Sequence, residues 1–240
     1  MAGQNDSKAF ETVQSYVTEM YANHKVRPGD CIYETSLAEE LGLSRTPVRD
    51  ALGRLVANGF LEQSPGKRGC RVPALEFDDM REAFEARESL EEKIGWLAAE
   101  KAQKSDIEIL RFYNEQEIKF YDEGKKIEYI KANDLFHLSL SRIAKNRYIE
   151  RSYSPVYWRT QLYVYYLGPF SKEEKVLFDM KDYNSDTPHE HAHIIEAVAN
   201  RDPAAAAERC LEHIRATFTH RLSKQFSCPS DMFCKLLKLN

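Results

Sequence analysis

Three histidines and one asparagine are spaced so that they could share a metal ion. Asn133 and His137 lie four residues apart in a helical segment, which places both side chains on one face. His191 falls on the apolar stripe of a later helix, whereas His193 falls on its outer face, and His213 lies among apolar residues of the last helix. Such donors suit a divalent transition metal such as Zn, Ni, Fe or Mn. The alternative is that each histidine is an ordinary hydrogen-bonded core or surface residue.

A second group of residues has the chemistry to contact DNA. Ser44 is placed to cap a helix, and Arg45, Thr46, Arg49 and Gly53 then lie away from the apolar stripe of that helix. Arg45 and Arg49 are four residues apart, so their guanidinium groups project side by side, as contact with a guanine edge or with neighbouring phosphates requires. Gly53 keeps part of this face flat, so that a backbone can approach closely.

The next segment alternates weakly around a Pro-Gly turn, which predicts a two-stranded wing over residues 60–72. Its residues expected to face the DNA backbone or minor groove are Lys67, Arg68, Gly69 and Arg71. Arg54, four residues after Asp50, is expected to form an ion pair. Residues 41–75 hold six basic residues against two acidic ones, although the chain has a formal net charge of −4. This basic island favours DNA binding over an ordinary helical domain with solvated surface charges.

Helices must position both groups. Leu37, Ala38 and Leu41 predict a short helix that Gly42 ends, and the next helix follows after about three residues, which is a helix-turn-helix pattern. Beyond Pro73 helical periodicity dominates, and short connections predict an antiparallel bundle. The predicted helices cover about 78–104, 105–123, 125–144, 146–168, 171–184, 187–200 and 203–226. The expected cap residues are Asp78 or Asp79 and Asp202, and Asn146 is expected to begin its helix.

The composition indicates two domains in a mainly α-helical fold. With 240 residues the chain can form a winged helix-turn-helix domain (1–74), a linker (75–78), a helical effector and dimerisation domain (79–226) and a tail (227–240) that the sequence does not place. The chain lacks an apolar run of the roughly 20 residues needed to span a bilayer. The polar N-terminus lacks a signal-peptide pattern, and the five scattered cysteines suit reduced thiols, which predicts a cytoplasmic protein.

Residues 37–52, together with Leu55 and residues 58–61, closely resemble the winged helix of GntR-family bacterial transcription regulators. Upstream, the Arg-Pro-Gly-Asp sequence at 27–30 matches the turn that follows the first helix in this family. The resemblance implies a homodimeric regulator, usually a repressor, that binds double-stranded operator DNA. Thr35 stands where the family usually has an arginine, which predicts weaker anchoring to phosphates.

The second half of the chain resembles the FCD effector domain, the all-helical domain of the FadR-like branch of these regulators. The residues that carry the resemblance are 133–137, Asn146, 190–197, 201–202 and 212–213. In metal-binding members an Asp or Asn four residues before the first His, with three histidines, holds a divalent cation. The resemblance therefore implies Asn133, His137, His191 and His213 as ligands. An amide in place of the commoner carboxylate predicts weaker binding and a more positive site.

A metal with open positions would accept a small carboxylate metabolite as an effector. Arg87 matches an arginine common in the first helix of FCD domains and is a candidate carboxylate clamp, with Arg159 and Tyr163 expected to line the same cavity. The alternatives are that Arg87 pairs with Glu91 and that the tyrosine belongs to the core. Two other functions stay open at this stage: a metal-dependent hydrolase or lyase, and a metal-free regulator responsive to an acyl-CoA-type ligand.

Overall fold

The computed structural model describes residues 2–64, 69–167 and 187–218, and these are mainly α-helical. The helices are α1 (Ala2–Ala22), α2 (Glu34–Leu41), α3 (Arg45–Ala57), α4 (Phe77–Lys101), α5 (Lys104–Asp122), α6 (Lys126–Ile143), α7 (Arg147–Leu167), α8 (Thr187–Ala199) and α9 (Pro203–Ala216). The strands are β1 (Cys31–Ile32), β2 (Glu62–Gln63) and β3 (Cys70–Arg71). This architecture confirms the predicted fold class, a winged helix-turn-helix followed by a helical bundle.

The helix-turn-helix is formed by α2 and α3. Gly42 ends α2 with a left-handed backbone (φ 62°), as predicted, because a residue without a side chain adopts this conformation at low cost. Ser44 precedes α3 as predicted, but its side chain makes no capping hydrogen bond. The apolar face of α3, which includes Val48 and Leu52, is buried in the N-terminal core with Val17 of α1.

The wing is a three-stranded antiparallel sheet in the order β1-β3-β2. Arg71 in the central strand pairs with Cys31 on one side and Glu62 on the other. The predicted two-stranded wing was therefore incomplete, because β1 precedes α2 in the chain and meets β3 only in the folded domain. The tip at residues 65–68 lies outside the described residues.

The helical bundle is organised around α4, which packs against α6, α7 and α9, while α5 packs against α6 and α8. Asp202 accepts a backbone N–H bond at the start of α9, as predicted, and Asn146 accepts two such bonds at the start of α7. The prediction that Asp78 or Asp79 caps the first bundle helix was wrong, because α4 begins one residue before Asp78 and Glu76 holds the cap position. The predicted helix at 171–184 and the end of the last one, beyond 218, lie outside the described residues.

Helix α7 joins the two halves of the molecule. The ring of Trp158 meets Phe60 of the N-terminal domain edge to face, with centroids 5.0 Å apart. The hydroxyl of Tyr166 donates to the carbonyl oxygen of Val26 at 2.7 Å. Since α7 also lies against α4 and α6, the bundle core and the N-terminal domain share this helix. Across the described ranges, every helix is too short or too polar to cross a membrane.

Candidate functional site

The structure brings the three predicted histidines together in the bundle core. His137 comes from α6, His191 from α8 and His213 from α9, and each is at most 4% exposed. Their candidate ligand nitrogens all lie within 4.8 Å of one another. Three nitrogens bound to one zinc ion lie about 3.3 Å apart, given Zn–N bonds of about 2.0 Å and tetrahedral angles, so small side-chain movements would bring this cluster to metal-binding geometry. His193, as predicted, is exposed.

Two of these imidazoles are held by carboxylates. His191 donates through Nδ1 to Oε2 of Glu117 at 2.7 Å, and His213 donates through Nδ1 to Oε2 of Glu190 at 2.7 Å. A carboxylate only accepts, so Nδ1 carries the proton in each pair and Nε2 is left as the lone-pair donor. The Nε2 atom of His191 is buried without a hydrogen-bond partner. A buried nitrogen without a partner is costly unless a ligand satisfies it.

The electrostatics keep two of the imidazoles neutral. Burial lowers the pKa of His137 well below its usual value, and burial lowers the pKa of His213 to about 4. At neutral pH both rings therefore carry a free lone pair, which is the form that binds a metal.

Arg87 reaches the histidine cluster but is also paired. Its Nε donates to Oε1 of Glu91 at 2.7 Å, Nη1 donates to Thr160 at 3.0 Å, and Nη2 lies 3.5 Å from both ring nitrogens of His137. Burial disfavours the charge of Glu91, but the Arg87 guanidinium together with His137 and His213 outweighs this and holds the pKa of Glu91 well below its usual range. Tyr153 also donates to Glu91 at 2.6 Å. The pairing of Arg87 with Glu91, which the sequence left open as an alternative, therefore occurs beside the histidine cluster.

Asn133 and Asp134 have different surroundings. Asn133 is half-buried, with its amide nitrogen 3.5 Å from the hydroxyl of Tyr157, a ring that lies beside His137. Asp134 is buried and accepts from the hydroxyls of Tyr157 and Tyr165, each at 2.7 Å. Burial raises the pKa of Asp134 to about 7, against the opposing effect of these bonds. Asn133 therefore stays the predicted fourth donor, and Asp134 links two tyrosines of α7.

Arg159 and Tyr163 fix the junction between the domains. Arg159 donates to Asp79 at 2.7 Å and to the carbonyl oxygen of Ala74 at 2.8 Å. Tyr163 donates to Asp79 at 2.5 Å and also bonds the backbone of Glu76. These bonds engage both side chains at the start of α4, so we remove them from the predicted effector site. Their position on α7 gave no signal of this, because the partners lie 80 or more residues earlier.

The predicted DNA-contacting face of α3 is exposed. Arg45, Thr46, Arg49 and Gly53 are all open to solvent, as is Ser44 before the helix. Arg45 donates through Nε to Glu34 at 2.9 Å, which leaves both terminal nitrogens to contact a base or phosphate. This face of α3 is therefore accessible, and its contact with DNA stays a prediction.

The other basic residues of the basic island at residues 41–75 divide into three groups. Arg71 donates to Glu62 at 2.7 Å across the sheet and stays about 40% exposed, with Gly69 just before its strand. Lys67 and Arg68 lie outside the described residues. Arg54 lies over the ring of Phe10, 3.5 Å from its centroid, so the ion pair predicted for it is replaced by an interaction with an aromatic face.

Sequence reasoning missed the carboxylates around the histidines. Glu117 lies seven residues after Leu110 and three after Asn114, so its inward position was readable from the helical period. Its partner, His191, lies 74 residues later, and only packing of α5 against α8 brings them together. The same holds for Glu190, which contacts His213 on α9, whereas its neighbour His191 contacts Glu117 on α5.

Comparison with known proteins gives two family matches. Residues 10–72 match the bacterial regulatory proteins of the gntR family, and residues 82–216 match the FCD domain. The chain is 30% identical over 206 residues to the Nta operon transcriptional regulator of Aminobacter aminovorans, covering 83% of this chain and 88% of the relative. It is 28% identical over 209 residues to a probable D-xylose utilization operon transcriptional repressor of Paenarthrobacter nicotinovorans, covering 85% and 84%.

Among solved structures, E. coli McbR/YncC has a similar fold. The two chains superpose with a TM-score of 0.70 at 21% sequence identity, over 91% of this chain and 98% of the other. At this identity the likeness supports the fold alone.

Proposed function

We propose that a small organic acid, bound at a metal in the bundle, changes the affinity of this chain for operator DNA. The chain belongs to the gntR family of bacterial regulatory proteins and carries an FCD domain. The chain is a DNA-binding transcriptional regulator, since the matched families and relatives are regulators and not enzymes. The hydrolase or lyase alternative is therefore set aside. The observation that carries the proposal is the cluster of three buried imidazoles.

The residues present fit a divalent cation. His137, His191 and His213 supply neutral or carboxylate-oriented imidazoles, and His191 has a buried nitrogen without a partner. Asn133, one turn before His137, is the proposed fourth donor. A divalent cation held there would supply a concentrated positive charge that attracts a carboxylate oxygen. The metal-free acyl-CoA-type alternative gives these imidazoles no function, so we do not favour it.

Arg87 is the proposed contact for the acid. A guanidinium group has five N–H donors, and the bonds to Glu91 and Thr160 occupy only part of them. The Nη2 group faces His137, so it can donate to an acid bound beside the cluster. Because Glu91 already neutralises Arg87, we expect this contact to orient the acid rather than to supply most of its affinity.

The proposed DNA contacts are those of α3 and the wing. Arg45 and Arg49 would enter the major groove, with Ser44, Thr46 and Gly53 beside them. The wing would follow the backbone or minor groove through Lys67, Arg68, Gly69 and Arg71. Two copies in a homodimer would bind two half-sites of an operator. A relative described as a probable repressor supports repression as the sign of control.

The proposal is tested by titrating metal-stripped and metal-loaded protein onto promoter DNA from its own gene. We expect the affinity for DNA to fall steeply as the salt concentration rises. Arg49→Ala should lower this affinity and should reduce the slope of log affinity against log salt concentration by about one. A panel of small carboxylates should change the affinity of the metal-loaded protein only. An affinity for DNA that changes with neither metal nor carboxylates would contradict the proposed control. A complete lack of DNA binding would contradict the family function.

A further inference from the structure

We infer that Glu34, at the start of α2, orients Arg45 for contact with a guanine base, so that this ion pair helps to set the sequence preference of the chain. The inference rests on the proposed DNA contact of α3. It adds a positioning residue that acts through Arg45. It also divides the work of the two arginines on α3, with Arg45 directed to a base and Arg49 free to bind a phosphate.

The ion pair joins the two helices of the helix-turn-helix. Nε of Arg45, the first residue of α3, donates to Oε1 of Glu34, the first residue of α2, at 2.9 Å. The Glu34 side chain is only 14% exposed, whereas the Arg45 side chain is 58% exposed. The first turn of a helix favours a carboxylate, because the positive end of the helix dipole lies there. Glu34 is therefore the fixed acceptor, and Arg45 is the longer side chain that it holds in place.

The packing of the two helices does not depend on this pair. Leu37 of α2 and Val48 and Leu52 of α3 are buried together in the N-terminal core. An ion pair that is open to water contributes little to folding, because water competes for both charges. The pair does restrict the side chain of Arg45, which would otherwise move among many rotamers. It therefore acts on the orientation of Arg45 rather than on the stability of the domain.

The bond at Nε decides which edge of the guanidinium group is left for DNA. With Nε bound to Glu34, the terminal edge keeps one N–H on each of its two nitrogens, and these two donors are parallel. N7 and O6 of guanine are the matching pair of acceptors in the major groove. The N-terminal residues of a recognition helix are those that contact base edges, and Arg45 is the first residue of α3. Arg45 is therefore held in a position suited to guanine.

The charge of Glu34 opposes a phosphate contact by Arg45. Its carboxylate oxygen, 2.9 Å from Nε, offsets the charge of the guanidinium group and repels a neighbouring phosphate. Arg49, one turn later, is exposed and has no ion pair among the residues that the structure describes. Its full charge is available to a phosphate, which is bound without regard to sequence. The two arginines on this face of α3 thus differ in their electrostatic surroundings.

The experiment compares the affinity of the full-length chain for its own promoter fragment with its affinity for a scrambled duplex of equal length. Fluorescence anisotropy measures both over a range of salt concentrations, with metal-stripped and with Zn²⁺-loaded protein. We expect Glu34→Ala to lower the ratio of the two affinities by about 5- to 100-fold, the range of one good base contact. It should also strengthen binding to the scrambled duplex and steepen the salt slope by about one, because the released Arg45 becomes a phosphate contact.

Further variants separate orientation from charge. Glu34→Gln removes the charge but keeps an oxygen that accepts from Nε, so it should lower the ratio by a smaller factor than Glu34→Ala does. Glu39→Ala makes the same change of charge at an exposed position of α2 and should keep the ratio. In an Arg45→Ala background, Glu34→Ala should not change the ratio, because it acts through Arg45 alone.

A modified promoter fragment tests the base contact itself. A fragment synthesised with 7-deazaguanine lacks every guanine N7, so it should weaken binding by the unmodified chain more than binding by Glu34→Ala. Thermal melting of each variant checks its fold. If Glu34→Ala does not fold, Glu34→Gln and its salt slope carry the test.

Two outcomes would overturn the inference and leave the proposed DNA binding intact. One is a ratio in Glu34→Ala equal to that in Glu39→Ala. The other is a loss of the ratio that persists in the Arg45→Ala background, because Glu34 would then act without Arg45. An unmodified chain that binds neither duplex, or binds both equally, would contradict the proposed operator binding and this inference with it.

Discussion

At the scale of single residues, the most unusual contact in the bundle is the completely buried ion pair between Arg87 and Glu91. Both side chains are 1% exposed, and Glu91 retains an oxygen without a partner. Removing one member leaves an uncompensated buried charge, which typically costs about 3–5 kcal/mol. We expect Arg87→Met and Glu91→Met each to lower the free energy of unfolding of the metal-free chain by about this amount. Urea denaturation measures it.

The double variant R87M/E91M is the control for this pair. It removes both charges, so the loss should be well below the sum of the two single losses. Additive losses would show that the two side chains do not interact as described.

Cys70 gives a pH-dependent prediction at the same scale. Burial raises the pKa of its thiol to about 11, so at pH 8 only about one thiol in a thousand is the reactive thiolate. Iodoacetamide should therefore modify Cys70 roughly 100-fold more slowly than free cysteine at pH 8, and the rate should rise with pH towards 11. Peptide mapping by mass spectrometry measures this rate. A rate like that of free cysteine would contradict the burial described for this thiol.

The sequence predicted individual side chains where their role depends on their own helix. The inward positions of His137, His191 and His213 follow from helical periodicity, and the structure confirms them. The sequence did not predict the contact that Arg54 makes. The expected partner, Asp50, lies on the same helix, whereas the observed partner, Phe10, lies on another helix. Partners on other elements are set by packing, which helical spacing does not report.

At the scale of elements, helices α4 and α9 approach each other closely at Gly95. A methyl group added at Gly95 would lie 2.7 Å from the carbonyl oxygen of Ala206 and 2.8 Å from the sulfur of Cys210. Because a backbone atom is the obstacle, α9 would have to move, and it carries His213. We expect Gly95→Ala to destabilise the chain by about 1–3 kcal/mol and to weaken Zn²⁺ binding. Chemical denaturation and chelator competition measure the two effects.

Gly53→Ala is the matched control for Gly95→Ala. Gly53 is an exposed residue of α3, with nothing within 4 Å of the added methyl group. Alanine there should stabilise the helix by about 0.5–1 kcal/mol. It should leave Zn²⁺ binding unchanged and weaken DNA binding, if the flat face of α3 meets the groove. Equal stability changes in the two variants would contradict the packing described for α4 and α9.

Helix α7 is the element that can carry a change from the bundle to the DNA-binding domain. Tyr165 donates to Asp134 near the cluster, and its ring lies edge to face against Phe60, with centroids 6.3 Å apart. Phe60 follows α3 and accepts a hydrogen bond at its carbonyl from Tyr21. A shift of Tyr165 would therefore reach the turn after the recognition helix.

Tyr165→Phe tests this connection, because it keeps the ring and removes the hydroxyl. We expect the variant to bind Zn²⁺ and promoter DNA separately, but to show a smaller change in DNA affinity when Zn²⁺ is added. Fluorescence anisotropy measures the change, and Tyr148→Phe on the exposed side of α7 is the control. A full response in Tyr165→Phe would exclude this hydroxyl from the coupling.

At the scale of the whole molecule, the order of a winged helix followed by a helical bundle was predictable from local patterns. The helix-turn-helix spacing, Gly42 and the apolar stripe of α3 are features of short segments, and the structure confirms them. The junction was not predictable in the same way. Arg159 and Tyr163 meet Asp79 across 80 or more residues of sequence, so their shared role became visible only in the fold.

The central claim is that a metal bound at the three-histidine site controls the affinity of the chain for DNA. The most direct measurement is the affinity of metal-stripped chain for its own promoter fragment, before and after one equivalent of Zn²⁺, in the unmodified chain and in His191→Ala. The account predicts a change of at least about tenfold, a coupling free energy of about 1.4 kcal/mol, in the unmodified chain alone. Identical binding curves with and without Zn²⁺, or the same change in His191→Ala, would contradict it.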